Sequence, residues 1–326
     1  MNSTRMLVYA ALVNWATGVF GSAAIAQSYP VKPIRFIVPL AAGGNLDIVT
    51  RAVAQKVGEG FGQPSIVENR PGASSLVGTQ FVAKAPPDGY TVLAMANTFV
   101  TAPSMISNTG YDPVKDFVGV SLTARIPNVL VVTTALPAKS VKELIALCKA
   151  RPGELAYGSG GAGSSSHMAA ELFARQAGVK LLHVPYKGNA PAVVDVIGGQ
   201  IPLMFDQLST SMQYINARKL RALGVTAIRR SPVYPDLPTI AEVGLPGYEY
   251  VTFTGIAVPT GTAREVLARL HAEIAKAVQA SEIKSRFLQQ AVELTASASS
   301  DEFTAFLRDD VVKTAKLVHE AGIKAE

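Results

Sequence analysis

Two periods of hydrophobicity alternate along this chain. Residues 34–40 make a short, nearly unbroken apolar run, the pattern of a buried strand, and residues 48–57 then place apolar side chains at three- and four-residue intervals, the pattern of an amphipathic helix. The alternation goes on with a strand at 65–68, a turn at Pro71-Gly72-Ala73, a helix at 76–83, strands at 91–96 and 129–133, and a helix starting at Val141 that Ser140 caps. Beyond a glycine- and serine-rich stretch come a helix carrying Met168, Leu172 and Phe173, a strand at 181–184, a helix at 190–197, a strand at 203–205, another helix, and a strand at 220–225. This order predicts an α/β protein with mostly parallel sheets, each flanked by helices.

The remainder breaks the pattern. Prolines 232, 235, 238 and 246 interrupt residues 231–250, which reads as an irregular connection; a strand at 251–258 and two charged amphipathic helices at 263–280 and 301–321 complete the chain. Helices of that kind bury little on their own and are expected to return to the first half. Two lobes follow, residues 27–129 with 250–326 and residues 130–249, joined by two crossovers near 125–130 and 250–254 that form a hinge beside a ligand cleft.

Residues 1–26 have the form of a secretory signal: Arg5, an apolar stretch from Leu7 to Phe20, and Ala24-Ile25-Ala26 as the small-residue cleavage site after Ala26. Gln27 follows, so no lipidated cysteine is created, and export to the periplasm is expected. The formal charge of +6 is spread along the chain without basic blocks interleaved with aromatics, which argues against nucleic acid as a partner. A lone cysteine, Cys148, forms no internal disulfide and reads as a small buried hydrophobe.

Candidate chemistry concentrates in two loops. Residues 155–167, Leu-Ala-Tyr-Gly-Ser-Gly-Gly-Ala-Gly-Ser-Ser-Ser-His, lead from a strand into a helix, and Ala41-Ala42-Gly43-Gly44-Asn45-Leu46-Asp47 do the same nearer the start. Glycines admit a ligand to the main chain, and a helix start presents free N–H groups and a positive dipole end, so each loop is a seat for a small anion. Gly158-x-Gly160-x-x-Gly163 satisfies a dinucleotide fingerprint, but the next strand ends at Tyr186-Lys187 without the acid a ribose requires. Ser164, Ser165 and Ser166 beside His167 raise serine hydrolysis; Gly-x-Ser-x-Gly is absent and adjacent helix residues point apart, so catalysis is not expected. The four histidines show no metal spacing, and neither metal nor cofactor is expected. Asp47 reads either as a brace for its own helix or as a ligand contact, and His167 as a capping or packing residue or a ligand contact.

Several collinear motifs span the chain after the signal: Tyr29-Pro30-Val31-Lys32-Pro33-Ile34, Gly43-Gly44-x-x-Asp47 with Arg51, Glu68-Asn69-Arg70-Pro71-Gly72-Ala73, Pro87-Asp88-Gly89-Tyr90, Tyr111-Asp112-Pro113, His183-Val184-Pro185-Tyr186-Lys187-Gly188, Gly198-Gly199-Gln200, and Arg230-Ser231-Pro232 leading to Glu242. Together they resemble the Bug-type periplasmic receptors of tripartite tricarboxylate transporters. The resemblance implies a two-lobed, type II-like periplasmic-binding-protein fold and a monomeric, non-enzymatic receptor. Such a receptor binds a small organic carboxylate between its lobes and delivers it to inner-membrane permease subunits. Carried over by position, the ligand contacts are Ala42, Gly43, Gly44 and Asp47 on one side, Ser159, Gly160, Ser164, Ser165 and His167 on the other, with Asn97, Thr98 and Asp206 along the remaining wall. Where the family usually has Pro-Gly-Gly before Gly-Thr, this chain has Ala42-Gly43-Gly44 before Asn45-Leu46. The competing reading is a periplasmic enzyme acting on a small carboxylate or nucleotide through the serine- and glycine-rich loop.

Overall fold

The computed structural model describes residues 29–324, of which residues 32–324 belong to one compact unit. The signal segment and its cleavage after Ala26 lie outside the described residues. The first elements are β1 (Ile34–Val38), α1 (Asn45–Phe61), β2 (Ser65–Asn69), α2 (Leu76–Ala83), β3 (Thr91–Ala96), α3 (Thr98–Met105) and β4 (Phe117–Thr133). They are followed by α4 (Val141–Ala150), β5 (Ala156–Ser159), α5 (Ser165–Ala177), β6 (Leu182–Pro185), α6 (Asn189–Ile197), β7 (Leu203–Gln207), α7 (Leu208–Asn216) and β8 (Leu220–Val225). The last are α8 (Ile240–Val243), β9 (Val251–Pro259), α9 (Arg264–Gln279), α10 (Ser281–Leu288), β10 (Glu293–Leu294) and α11 (Ser300–Ala321). None of the described helices is long and apolar enough to cross a membrane.

The strands run in the order β2-β1-β3-β9-β4-β7-β5-β6, with β8 and β10 also paired to β4. Both flanks are parallel, β1 with β2 and β3 on one side and β5 with β6 and β7 on the other. The middle is antiparallel, because β9 returns between β3 and β4. β4 is shared: Phe117 to Pro127 lie opposite β9, Asn128 to Val132 lie opposite β7, and Val129 to Thr133 lie opposite β8 on the other edge.

The pleat explains how one strand serves two cores. Leu130 and Val132 point into a cluster with Leu144, Tyr157, Phe173, Phe205 and Tyr248, while Val129 and Val131 point into another with Val193, Met204 and Leu208. Cys148 is fully buried in the first of these. On the other flank Ile37, Leu93, Phe99 and Phe117 pack under α11 through Phe303 and Leu307, the return of the C-terminal helix that its short apolar stripe requires.

Besides α10 and β10, which the sequence expectation lacks, three elements depart from it for identifiable reasons. β4 begins twelve residues before the expected strand at 129–133; the added stretch carries Ser121, Thr123 and Asn128 in buried positions, where Thr123 and Thr254 hydroxyls meet at 2.8 Å, so polar residues hide a largely buried strand. α3 was not expected because Pro103 and three β-branched residues sit inside it. Within the irregular stretch 231–250 a short helix, α8, forms on a capping box between Thr239 and Glu242.

Candidate ligand site

Helices α1, α3, α5, α6 and α7 each begin at the carboxyl end of a strand, the edge at which open α/β sheets bind ligands. The serine-rich loop before α5 is held from two directions. Ser164 is the N-cap, its Oγ accepting from the His167 N–H at 3.3 Å and meeting Ser166 Oγ at 3.0 Å. Ser166 Oγ also accepts from the Gly160 N–H at 2.9 Å and donates to Asn189 Oδ1 at 3.0 Å. Asn189 Nδ2 donates to Asp206 Oδ1 at 2.8 Å, and the Thr210 and Ser211 hydroxyls donate to Asp206 Oδ2. Asp206 is fully buried. Burial pushes its carboxyl up, and the bonds from Thr210, Ser211 and Asn189 oppose that push. It stands behind the wall and reaches the loop through Asn189 and Ser166.

From beneath, His167 Nδ1 accepts from the Gly163 N–H at 3.1 Å. That bond leaves Nε2 to carry the proton, 3.8 Å from Glu171 Oε1. Burial, and after it the neighbouring His183, push His167 down to about 3, so the ring is neutral. His183 stacks on it at 3.8 Å between centroids and meets Ser159 Oγ at 2.6 Å, while Ser159 Oγ accepts from the Gly161 N–H at 3.1 Å. With these bonds made, the N–H groups of Ala162, Ser165 and Ser166 have no protein acceptor among the described residues. The Ser165 carbonyl is tied to Asn128 Nδ2 at 3.4 Å, and Asn128 Oδ1 accepts from Thr252 on β9.

The loop before α1 is simpler. Ala42, Gly43 and Gly44 are exposed, and Gly44 caps the helix with no side-chain bond. Beneath them Asp47 is buried and accepts from the Gly43 N–H at 2.9 Å, from Arg51 at 3.0 and 3.1 Å, and from Asn69 at 2.9 Å. Burial raises this carboxyl, but the bonds from Arg51, Gly43 and Asn69 outweigh it and hold Asp47 below its ordinary value. Asp47 therefore braces its own loop. Asn45 reaches to the start of α7, donating to Gln207 Oε1 at 2.6 Å and Ser209 Oγ at 3.0 Å.

A cleft of about 530 Å³ lies where the serine-rich loop faces α3. Gly160 to Ser164 form one wall; Thr98, Thr101, Ala102, Met105 and Ile106 form the other, and Ala73 and Ser74 close an end. Of the residues carried over from the resemblance, Thr98, Gly160 and Ser164 meet in this cleft. Asn97, the N-cap of α3, is buried next to it with Oδ1 accepting from the Phe253 N–H. Ser159, His167 and Asp206 support its wall from behind, and Ala42 to Gly44 lie outside its lining.

The family model of the tripartite tricarboxylate transporter family receptor matches residues 49–323. The chain belongs to that family. The receptor is 34% identical over 326 residues to BugT of Bordetella pertussis, covering 99% of each chain. Among solved structures it is similar to Rpa4515 of R. palustris with adipate (33% identity, TM-score 0.80, 91% of this chain and 100% of that one). MatC of Rhodopseudomonas palustris with bound malate is similar too (28% identity, TM-score 0.76, 89% and 100%). The chain is thus a solute receptor with the α/β fold class of periplasmic binding proteins such as BugD, and receptors of this family are periplasmic.

Sequence reasoning missed the receptor's second wall. Thr101 and Met105 belong to α3, an element absent from the sequence expectation, and Ile106 follows its last residue; Ser74 lies in a turn where Ala73, Ser74 and Ser75 all hold positive φ, a run that no glycine announces. Asn189 was placed just outside its helix and not given a role. Its only sequence signal is the Gly188-Asn189 helix start.

Proposed function

We propose that the cleft between α3 and the serine-rich loop captures a small organic carboxylate, and that the mature receptor, released into the periplasm after Ala26, delivers it as a monomer to an inner-membrane permease. The carrying observation is the loop itself. The Ala162 N–H, without a protein acceptor among the described residues, belongs to the same lining as Ser164 and Thr98, and the start of α5 next to it leaves the Ser165 and Ser166 N–H groups without one as well. Relatives that hold adipate and malate support the ligand class. Residues 27–129 with 250–326 and residues 130–249 act as lobes about β4 and the start of β9, and closure is tightened by Asn45 on Gln207 and by the Arg175–Glu320 ion pair between α5 and α11. Binding needs no turnover: neutral His167 spends its Nδ1 on the loop and lies 5% exposed, behind the cleft.

The test is calorimetric titration of the mature chain with mono-, di- and tricarboxylates, repeated on Ser164→Asp. Aspartate caps a helix as well as serine does, so the variant should fold with an unchanged ligand-free Tm, while its fixed charge in the lining should weaken carboxylate binding at least about a hundredfold. Carboxylate binding by Ser164→Asp equal to the parent's, or ligand consumption by the parent, would sink this reading.

A further inference from the structure

Every residue that lines the cleft is uncharged. Ser74, Thr98 and Ser164, with the main-chain N–H groups of the loop, offer hydrogen bonds for one carboxylate. Besides the loop glycines and Thr101, whose hydroxyl donates to the Asn97 carbonyl, the rest of the surface is made by Ala73, Ala102, Met105, Ile106 and Ala162. Arg51 and Arg70 are committed elsewhere, Arg51 to Asp47, and Arg70 to Glu68 and to the face of Phe81 at 3.7 Å. Met105 and Ile106 also stand at the carbonyl end of α3, where the helix dipole disfavours an anion. A second carboxylate placed there would lose its water and gain neither a cation nor a favourable dipole. An alkyl or ring surface would cover Ala102, Met105 and Ile106 and gain from their burial.

We propose that the cleft takes a carboxylate with one charged end and an apolar body, in preference to a di- or tricarboxylate; this rests on the carboxylate-receptor reading above. Met105 and Ile106 are its specificity-determining residues. Gly163 keeps that end narrow: a Cβ at this position would meet Met105 Sδ and Thr101 Cγ2, so the loop and α3 clasp the ligand body directly.

Hexanoate and adipate share a six-carbon chain and differ only in the second carboxylate, which makes them the discriminating pair. Calorimetric titration of the mature receptor should give hexanoate the tighter binding, by about tenfold or more. Adipate binding equal to or tighter than hexanoate would overturn the proposed ligand class while leaving a carboxylate receptor in place. If neither these nor any other carboxylate of the wider screen binds, the receptor reading itself fails and this one with it. Ile106→Lys, at a partly exposed position, supplies the missing cation and should move the hexanoate-to-adipate preference at least about tenfold toward adipate; Met105→Lys serves if that variant does not fold. An unmoved ratio in a folded variant would show that the far end of the ligand does not lie against Met105 and Ile106, and would overturn the assignment.

Discussion

At Gly43 an added Cβ would meet nothing within 4 Å, whereas at Gly163 it would run into Met105 and Thr101, although the two residues hold similar positive φ, +85° and +71°. The two glycine loops look alike in sequence, each a strand end, a glycine pair and a helix start. They differ in what surrounds them. The first is open to solvent and rests on one carboxylate, Asp47, with an arginine partner. The second is packed against α3 and rests on a neutral imidazole, His167, and on a chain of hydroxyl and amide groups that ends at buried Asp206. The same local motif thus gives an exposed rim in one place and a packed wall in the other, and the difference comes from partners far away in sequence.

The largest effect expected follows from the glycines themselves. Gly43→Ala should cost only the left-handed conformation, about 1 kcal/mol. Gly163→Ala adds overpacking against Met105, for a total of about 2–4 kcal/mol, and should displace the loop enough to abolish carboxylate binding. Denaturant midpoints and titrations of both variants check this. Equal costs at the two positions would break the contrast between rim and wall.

Acid should reach the two loops in different windows. His167 sits in the fold with its pKa pushed down to about 3, while an unfolded chain holds histidine near about 6.5. Below that value the unfolded chain gains a proton that the folded one refuses, so the His167 contribution falls as pH drops from about 6.5 toward 3. Asp47 is held below its ordinary value; its contribution is present above about 4 and is lost only as pH falls further. His167→Gln keeps an acceptor for the Gly163 N–H and removes the first window. The stability difference between parent and variant should therefore shift against the parent by at least about 1 kcal/mol between pH 6.5 and 4.5. The difference isolates His167, because buried Asp310, pushed up to about 6, acts in the opposite sense over the same range in both proteins. A constant difference would mean that His167 is not the buried neutral ring described above.

How far the residues alone reveal all this depends on where each signal lives. Helices α2, α4 and α5 and strands β3 and β8 announce themselves through apolar runs or helical period with few polar breaks, even where, as in β3, both faces are buried. β4 hides because both of its faces are buried and its buried polar residues pair across the sheet, a property of its neighbours. The serine-rich loop and the helix it starts are legible as an anion seat because the chemistry is local. The wall facing it is not: α3 is weak by composition and is stabilised by packing, with Phe99 stacked on Tyr111 and edge-on to Phe117. Asp206 was placed by sequence at the end of an apolar strand, where β7 does carry it, yet its burial and its three donors follow from α6 and α7 folding over it.

The smallest effect concerns a direct tie between the rim and the far side. Asn45 is the first residue of α1, and its amide donates to Gln207 and Ser209 at the start of α7. In the two-lobe reading these bonds bridge from residues 27–129 to residues 130–249, so they exist only while the lobes are closed. Asn45→Ala should then leave the ligand-free Tm almost unchanged, since an open receptor does not make the contact. It should weaken carboxylate binding by roughly three- to tenfold, the equivalent of about 0.5–1.5 kcal/mol for a hydrogen bond lost from the closed state alone. The loss should appear as faster dissociation, because the encounter between ligand and open cleft is untouched. Gln207→Ala should reproduce it, and the double variant should cost little more than either single one, as expected of two ends of one interaction. An equal loss of stability with and without ligand would place Asn45 among the residues that hold the fold together, and the first glycine loop would no longer be a part that moves.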